Sequence, residues 1–394
     1  MTIWTLARHR AVKRLLRRLI SVGRMVAPVR DHVVVYGWPQ DEGNAVELVD
    51  HLGSRGVAVR WLLDDEPGRE VADLLRTWPS VRPRKRLSLR GFTDFLTARV
   101  TFFTHGLFLS GPSPRRKTVV NLWHGDGPKQ NFMPNGEPPP RCNYVVSCST
   151  VFGRAKAAFF EVPESNLLVT GNPRNDRLFR EPGTSKLDGL GLQRGRYVVY
   201  MPTYRSARAL GTTVAWQDGG GAADPRVAAL TQMVEASGEL GLEVVVKPHA
   251  LDATALAVPG ARVLTDSDLA TVGLSSYELL AASHSLVTDY SSIWTDYLST
   301  GKHVAFAVAD WEDYRATRGL DESVERSALP GPLVASTAEL LGFFRAVEAG
   351  DAALKAQRDQ AIEIFGLVTA DGNCRRLIDA LTRRGVTLVN GSAS

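Results

Sequence analysis

LVTDYSSIWTDYL, residues 286–298, changes character at its middle. Leu286-Val287-Thr288 is apolar and β-branched, as a buried strand is, whereas Ile293 to Leu298 has helical spacing. Between them lie Asp289-Tyr290-Ser291-Ser292. A strand that hands hydroxyl-rich residues to a helix start presents backbone N–H groups and the positive end of a helix dipole, an arrangement that binds phosphate. The same Ser-Ser pair is also what an ordinary helix cap looks like. The two readings are separated by the rest of the chain.

Working outward, the same pattern recurs. Apolar runs at His32–Tyr36, Val57–Leu63, Val100–Thr104, Val119–Trp123, Tyr144–Ser147, Leu167–Thr170, Tyr197–Met201, Leu242–Val246, Val263–Thr265 and Val304–Val308 alternate with helical stretches. Helices are expected around Ala45–Leu52, Phe92–Ala98, Val227–Glu239, Ser276–Ala282 and across much of Thr337–Leu381. Strand–helix alternation at this rhythm predicts doubly wound, parallel α/β sheets. Glu181–Arg196 is Gly-rich and reads as a linker, and the aperiodic Ser206–Pro225 as a long loop.

Polar clusters follow five of these strands: His124-Gly125, Arg174-Asn175-Asp176, Thr203 to Arg205, Lys247 to His249, and Asp289 to Ser292. Open α/β sheets bind ligands at strand carboxyl ends. Arg205 and Lys247 can neutralise phosphate, Ser291 and Ser292 can donate hydrogen bonds, and two histidines can move protons. Each cluster has a plainer reading: a satisfied structural histidine, a loop-holding Pro-Arg turn, or, for Asp296, a local helix partner. No Walker loop, Gly-x-Gly-x-x-Gly element, zinc spacing or Gly-x-Ser-x-Gly elbow is present, which argues against ATP hydrolysis, dinucleotide oxidoreduction, zinc chemistry and serine hydrolysis.

The 394 residues, 44% hydrophobic and 23% charged, suit about two globular domains. Three cysteines (Cys142, Cys148, Cys374) are too few for a disulfide framework and fit a reducing compartment. No apolar run approaches the roughly 18 residues of a membrane span. The formal charge of +5 is concentrated at the start: residues 1–30 hold eight Lys/Arg and no carboxylate. Val12, Leu15, Leu16, Leu19 and Ile20 share a helical face there, with Arg10, Lys13, Arg14, Arg17 and Arg18 on the other side. Such a basic amphipathic helix suits an anionic membrane surface, through residues 1–27, as well as packing on its own protein. Basic runs at Arg82–Arg86 and Arg115–Lys117 are expected to be solvated, or to face anionic lipid or a phosphorylated acceptor.

Read together, WHGDGPK (123–129), GNPRND (171–176), MPTYR (201–205), KPH (247–249), TDYSSIWTDYL (288–298) and DGN (371–373), with RGL (318–320) and PGPLV (330–334), resemble the CDP-glycerol glycerophosphotransferase family of teichoic acid and polyol-phosphate capsule synthesis. Asp126-Gly127 stands where that family more often has Thr-Pro, and Ala250 where proline is usual. The first departure is expected to place a carboxylate beside His124.

The resemblance implies a GT-B fold, two Rossmann-like domains facing a cleft. The division expected is a membrane-associating helix (1–30), an acceptor domain (31–182) and a CDP-donor domain (183–394), with the last helices returning to the first lobe. It implies transfer of a polyol phosphate from CDP-glycerol, or CDP-ribitol, to an undecaprenyl-type lipid-linked saccharide on the cytoplasmic face of the membrane, with CMP released and no nucleic-acid partner. His124 is expected to be the general base, and His249 to bind donor phosphate or protonate the leaving group. Thr203, Arg205, Lys247, Ser291 and Ser292 are expected on the pyrophosphate, Asp289 or Asp296 on donor hydroxyls, and Gly125, Asp126, Arg174, Asn175 and Asp176 along the acceptor side. No metal ligand set is expected, although Mg²⁺ can ride on the pyrophosphate. The alternatives are a GT-B glycosyltransferase using a nucleotide sugar, and a membrane-bound binding protein without catalysis.

Overall fold

The structure, a computed structural model, describes residues 10–107, 114, 116–129, 131, 139–203, 225–248, 256, 258–317, 319–321 and 324–388. Two parallel sheets dominate it. The first holds β1 (Arg30–Tyr36), β2 (Val59–Leu63), β3 (Val81–Lys85), β4 (Ala98–Phe103), β5 (Thr118–Asn121), β6 (Tyr144–Ser147) and β7 (Leu167–Val169). Their spatial order is 3-2-1-4-5-6-7. The second holds β8 (Tyr197–Met201), β9 (Glu243–Val246), β10 (Ala261–Val263), β11 (Ser285–Thr288) and β12 (Val304–Phe306), in the order 10-9-8-11-12. Every pairing is parallel. The second sheet thus repeats the 3-2-1-4-5 order of the first.

Both sheets are buried on both faces, which is why their strands read as continuous apolar runs. In β1, Val33 and Val35 enter one core with Trp61 and Phe102, while Val34 and Tyr36 enter another with Leu62, Phe95 and Phe103. Val199, Val245 and Leu286 face one core of the second lobe, and Val198, Val244 and Val287 the other.

The sequence reading missed β3, VRPRK. It pairs only with β2, so it is an edge strand, where proline and charge are tolerated. Arg84 Nε lies 2.7 Å from Asp94, and Arg86, just past the strand, has Nε 2.5 Å from Asp64, while Arg82 is exposed. The stretch read as a linker contains a short helix, Thr184–Asp188, and sends Leu187 and Leu192 into the second lobe's core.

The chain's end crosses back. Leu377, Ala380 and Leu381 of the helix Asn373–Arg383 pack in the first lobe's core. Before it, Ala361 and Phe365 of Ala352–Phe365 join Cys148 and Phe152 of the first lobe in a core shared with Trp294. At the start, Arg10–Val26 is helical. Ile20 packs beside Leu96 and Phe95, and the Arg24 guanidinium lies 4.9 Å over the Phe95 ring. The Lys117 ammonium closes the helix by donating to the Arg24, Ala27 and Leu96 carbonyls at 2.6–2.7 Å. Ile20 therefore turns to the protein while Leu19, Val22, Met25 and Val26 stay 54–78% exposed; the side chains of Val12, Leu15 and Leu16 lie outside what is described.

Candidate active site at the lobe boundary

The site is built on the loop that leaves β5. Asn121 accepts from the Trp123 N–H at 2.9 Å, and Trp123 takes a left-handed backbone conformation, φ +52°. That turn puts the His124 ring into a stack of aromatics. His124 lies 4.4 Å from His105 with planes 10° apart, and 4.1 Å from Trp123. His124 is nonetheless exposed to solvent. Its pKa is held well below 6.5, first by burial among surrounding protein, then by His105, Arg174, Lys156 and Lys129. A neutral imidazole at pH 7 is a proton acceptor.

The rest of the loop docks on the second lobe. A side chain at Gly127 would stand 2.5 Å from the Ser292 Cβ, so only glycine allows this approach. Thr295 donates to the Asp126 carbonyl at 2.8 Å, and the Asp321 N–H to the Pro128 carbonyl at 2.6 Å. Ser292 occupies the cap position of Ile293–Tyr297 without a side-chain cap hydrogen bond. Its hydroxyl instead sits about the Gly125 backbone, 3.1 Å from where a Gly125 Cβ would be.

The Asp126 carboxylate does not face His124, contrary to the expectation drawn from the Asp-Gly pair. It turns back into the first lobe, fully buried, to Lys156 Nζ at 2.5 Å, Ser147 Oγ at 2.7 Å and the Cys148 N–H at 2.9 Å. A buried ammonium on Thr150–Phe159 needs a counter-charge, and Asp126 supplies it.

Arg174 is the hinge pin. Its Nε and Nη2 grip the Asp296 carboxylate at 3.1 and 2.6 Å, and Nη1 donates to the His124 carbonyl at 2.7 Å. Tyr277 OH and Asn172 complete the shell of Asp296 at 2.7 and 3.1 Å. Asn44 ties the same region together, donating to the Trp123 carbonyl and accepting from the Arg174 N–H. Asp296, fully buried, is thus an interlobe anchor. Asp176 is likewise occupied: it accepts from the Asn373 N–H and side chain, both at 2.6 Å, and from the Cys374 N–H, which explains the late DGN motif as a docked helix start. Asn175 is buried beneath them.

In the second lobe, β8 and β11 are neighbours at the point where strand order reverses. Asp289, after β11, accepts from the N–H and hydroxyl of Thr203, after β8, both at 2.7 Å, and from the Ser291 N–H at 3.2 Å. Asp289 therefore organises the two strand ends. Lys247, after β9, pairs with Asp266 at 3.0 Å. Arg226, unnoticed in the sequence, reaches the Thr203 carbonyl at 3.4 Å from the start of Pro225–Gly238. Arg205 and His249 lie outside the described residues.

A family model described as CDP-Glycerol:Poly(glycerophosphate) glycerophosphotransferase matches residues 25–382. The chain belongs to that family.

This glycerophosphotransferase is 23% identical over 291 residues to the teichoic acid poly(glycerol phosphate) polymerase of Bacillus spizizenii, which covers 65% of this chain and 68% of that one. Among solved structures it is similar to the wall teichoic acid polymerase TagF, with TM-score 0.68 and 19% identity over 95% of this chain and 94% of that one. A putative UDP-N-acetylglucosamine 2-epimerase from Listeria monocytogenes matches at TM-score 0.50 and 14% identity, over 93% and 98% of the two chains. The two sheets and these likenesses make the fold GT-B. One site residue that the sequence reading passed over is His105. Its signal was present: Thr104-His105-Gly106 repeats after β4 the His-Gly that follows β5.

Proposed function

We propose that this glycerophosphotransferase moves a polyol phosphate, glycerol phosphate before ribitol phosphate, from a CDP-activated donor to a hydroxyl of a lipid-linked acceptor. The observation that carries this reading is the open, neutral His124 ring held by its loop against Ser292 of the other lobe. The acceptor oxygen attacks the β-phosphorus of the donor, its proton passes to His124, and the bond to the CMP oxygen breaks. Thr203, Ser291 and Ser292 line the donor side, with Arg205, His249 and Lys247 supplying charge and hydrogen bonds to the pyrophosphate. Asp289 holds Thr203 and Ser291 in place, and Asp296 with Arg174 fixes the lobes rather than the substrate. Among the described residues no cluster of three or more His, Cys, Asp or Glu is placed to hold a metal ion; in this reading any Mg²⁺ enters on the donor's pyrophosphate. Family membership supports the donor, and crystals of a histidine-to-asparagine variant of TagF soaked with CDPG support it further.

The test is a thermal-shift panel. A donor present at about 100 times its Kd stabilises the fold by ~2.7 kcal/mol, several degrees for a protein of this size. CDP-glycerol or CDP-ribitol should shift the melting temperature, and UDP-, GDP- and dTDP-sugars should not. Selective stabilisation by a nucleotide sugar would establish the glycosyltransferase reading instead.

The acceptor's lipid places the reaction at a membrane surface, at its cytoplasmic face, to which the first helix is suited. No helix among the described residues is long and apolar enough to cross a membrane. Leu19, Val22, Met25 and Val26 form an exposed apolar strip, on a helix whose other residues are rich in arginine. Replacing both Leu19 and Val22 with Glu should weaken binding to anionic vesicles by at least about tenfold. Unchanged co-sedimentation would remove docking from the proposal.

A further inference from the structure

A histidine that works as a base is commonly oriented by a third group hydrogen-bonded to its other ring nitrogen. Among the described residues His124 has no such partner. Its carbonyl accepts from Arg174 Nη1 at 2.7 Å, the Asp126 carboxylate faces Lys156, and no described residue hydrogen-bonds either nitrogen of its ring. An exposed imidazole without a hydrogen bond would turn about its side-chain bonds. What fixes its plane is the ring laid on it.

That ring belongs to His105, whose centroid lies 4.4 Å from that of His124 with the planes 10° apart. The two meet because β4 and β5 are neighbours with Phe103 opposite Asn121. His105 stands just beyond the first residue and His124 just beyond the second. His105 is itself well held. Thr104, fully buried, extends the ladder by donating its N–H to the Tyr36 carbonyl at 3.1 Å. Its Oγ1 lies 3.2 Å from His105 Nδ1 and accepts from the Trp38 backbone N–H at 3.2 Å. The Trp38 ring then meets His105 edge-on at 5.3 Å. Burial lowers the His105 pKa to about 4, so at pH 7 two neutral rings are stacked and no charge pushes them apart.

We propose that His105 is a positioning residue for the reaction: the face of its ring holds the His124 imidazole in its working plane, the task that a hydrogen-bonded carboxylate performs for other bases. This rests on the phosphotransfer reading above, in which His124 takes the acceptor's proton. A carboxylate partner would also favour the imidazolium. A neutral stacked ring orients the base without doing so, and it keeps water from one face. The charged groups about His124 are Arg174, Lys156 and Lys129, the first two paired with Asp296 and Asp126.

Three variants of the full chain separate orientation from bulk. His105→Phe keeps a flat face, His105→Leu keeps volume without one, and His105→Ala removes both. The Leu and Ala variants should lower kcat for CMP release by about tenfold or more, with KM for CDP-glycerol within about twofold of wild type, since the donor lies on the other lobe. His105→Phe should recover most of that kcat. In the Ala variant, where water reaches the ring, the acid limb should move up toward the ordinary 6.5. A second readout needs no substrate: the His124 ring protons, followed by NMR of histidine-labelled chain and identified by their absence from His124→Ala. Their ring-current shift should persist in His105→Phe and be lost in His105→Leu. Circular dichroism melts check each fold, and the Phe and Leu pair decides the matter if the Ala variant unfolds. The proposal is overturned by a wild-type kcat in His105→Leu, by a folded His105→Phe as slow as the Leu variant, or by His124 ring protons in His105→Leu that match the wild type. The phosphotransfer reading fails on separate data, the absence of CMP release by the wild type, and the ring-proton comparison still decides what orients His124.

Discussion

His124→Ala should lower CMP release from CDP-glycerol by at least about 100-fold, with an unchanged far-UV spectrum. The effect is expected to be large because removing a positioned general base typically costs about 10²–10⁴-fold, and the loop that carries His124 is docked on Ser292 of the other lobe. The pH dependence follows from the same surroundings. Burial first, then the positive charge of Arg174, Lys156 and Lys129, disfavours the imidazolium, so the ring stays a base below its ordinary 6.5. A base must be deprotonated to act, so kcat/KM should fall only as the pH drops beneath 6.5. A wild-type rate in His124→Ala would end the assignment, as would an acid limb centred above pH 7. His249→Ala should show a comparable loss through the donor side.

The second large effect concerns stability. Asp126→Ala leaves the Lys156 ammonium, 1% exposed, without its counter-charge. Breaking one side of a buried pair costs about 3–5 kcal/mol, which urea unfolding would read as a marked drop in midpoint. The double variant Asp126→Ala/Lys156→Met should recover most of that loss, since the desolvated charge is then gone. Asp126→Ala within about 1 kcal/mol of wild type would show that the pair is not what holds the His124 loop. The sign with pH is fixed: Lys156, the Ser147 hydroxyl and the Cys148 N–H hold the Asp126 pKa below its ordinary 3.8 against the cost of burial. The pair's contribution is therefore present above pH 3.8 and is lost as the pH falls through the folded value.

Much of the fold was legible because both sheets are buried on two faces. HVVVY, YVVYM and SLVT announce themselves by composition alone. Strand β3 did not, because an edge strand buries little: only Val81 of VRPRK is fully covered. The helix Arg69–Thr77 was hidden for a similar reason, with Val71 its one buried residue. Within the site, the strand-end histidine and the Ser-Ser turn were visible as motifs. His105 was not singled out, since a histidine one residue past a strand is common, and its meaning comes from stacking on a ring 19 positions away.

The sequence by itself determined the parallel α/β class, the positions of most strands, and the polar clusters at their carboxyl ends. Residue type and period 2 or 3.6 record which positions are buried. They do not record what a buried charge is buried against. Asp126, Asp176 and Asp296 all looked like cleft carboxylates. Tertiary structure gave each a partner at a distance: Lys156, the start of the last helix, and Arg174. A desolvated carboxylate must be neutralised or hydrogen-bonded wherever the fold brings a donor, and only tertiary packing, within a lobe for Asp126 and between lobes for Asp296, decides which donor that is. The neighbouring order of β1, β4 and β5 in one sheet likewise set Trp38 against His105 and His105 against His124.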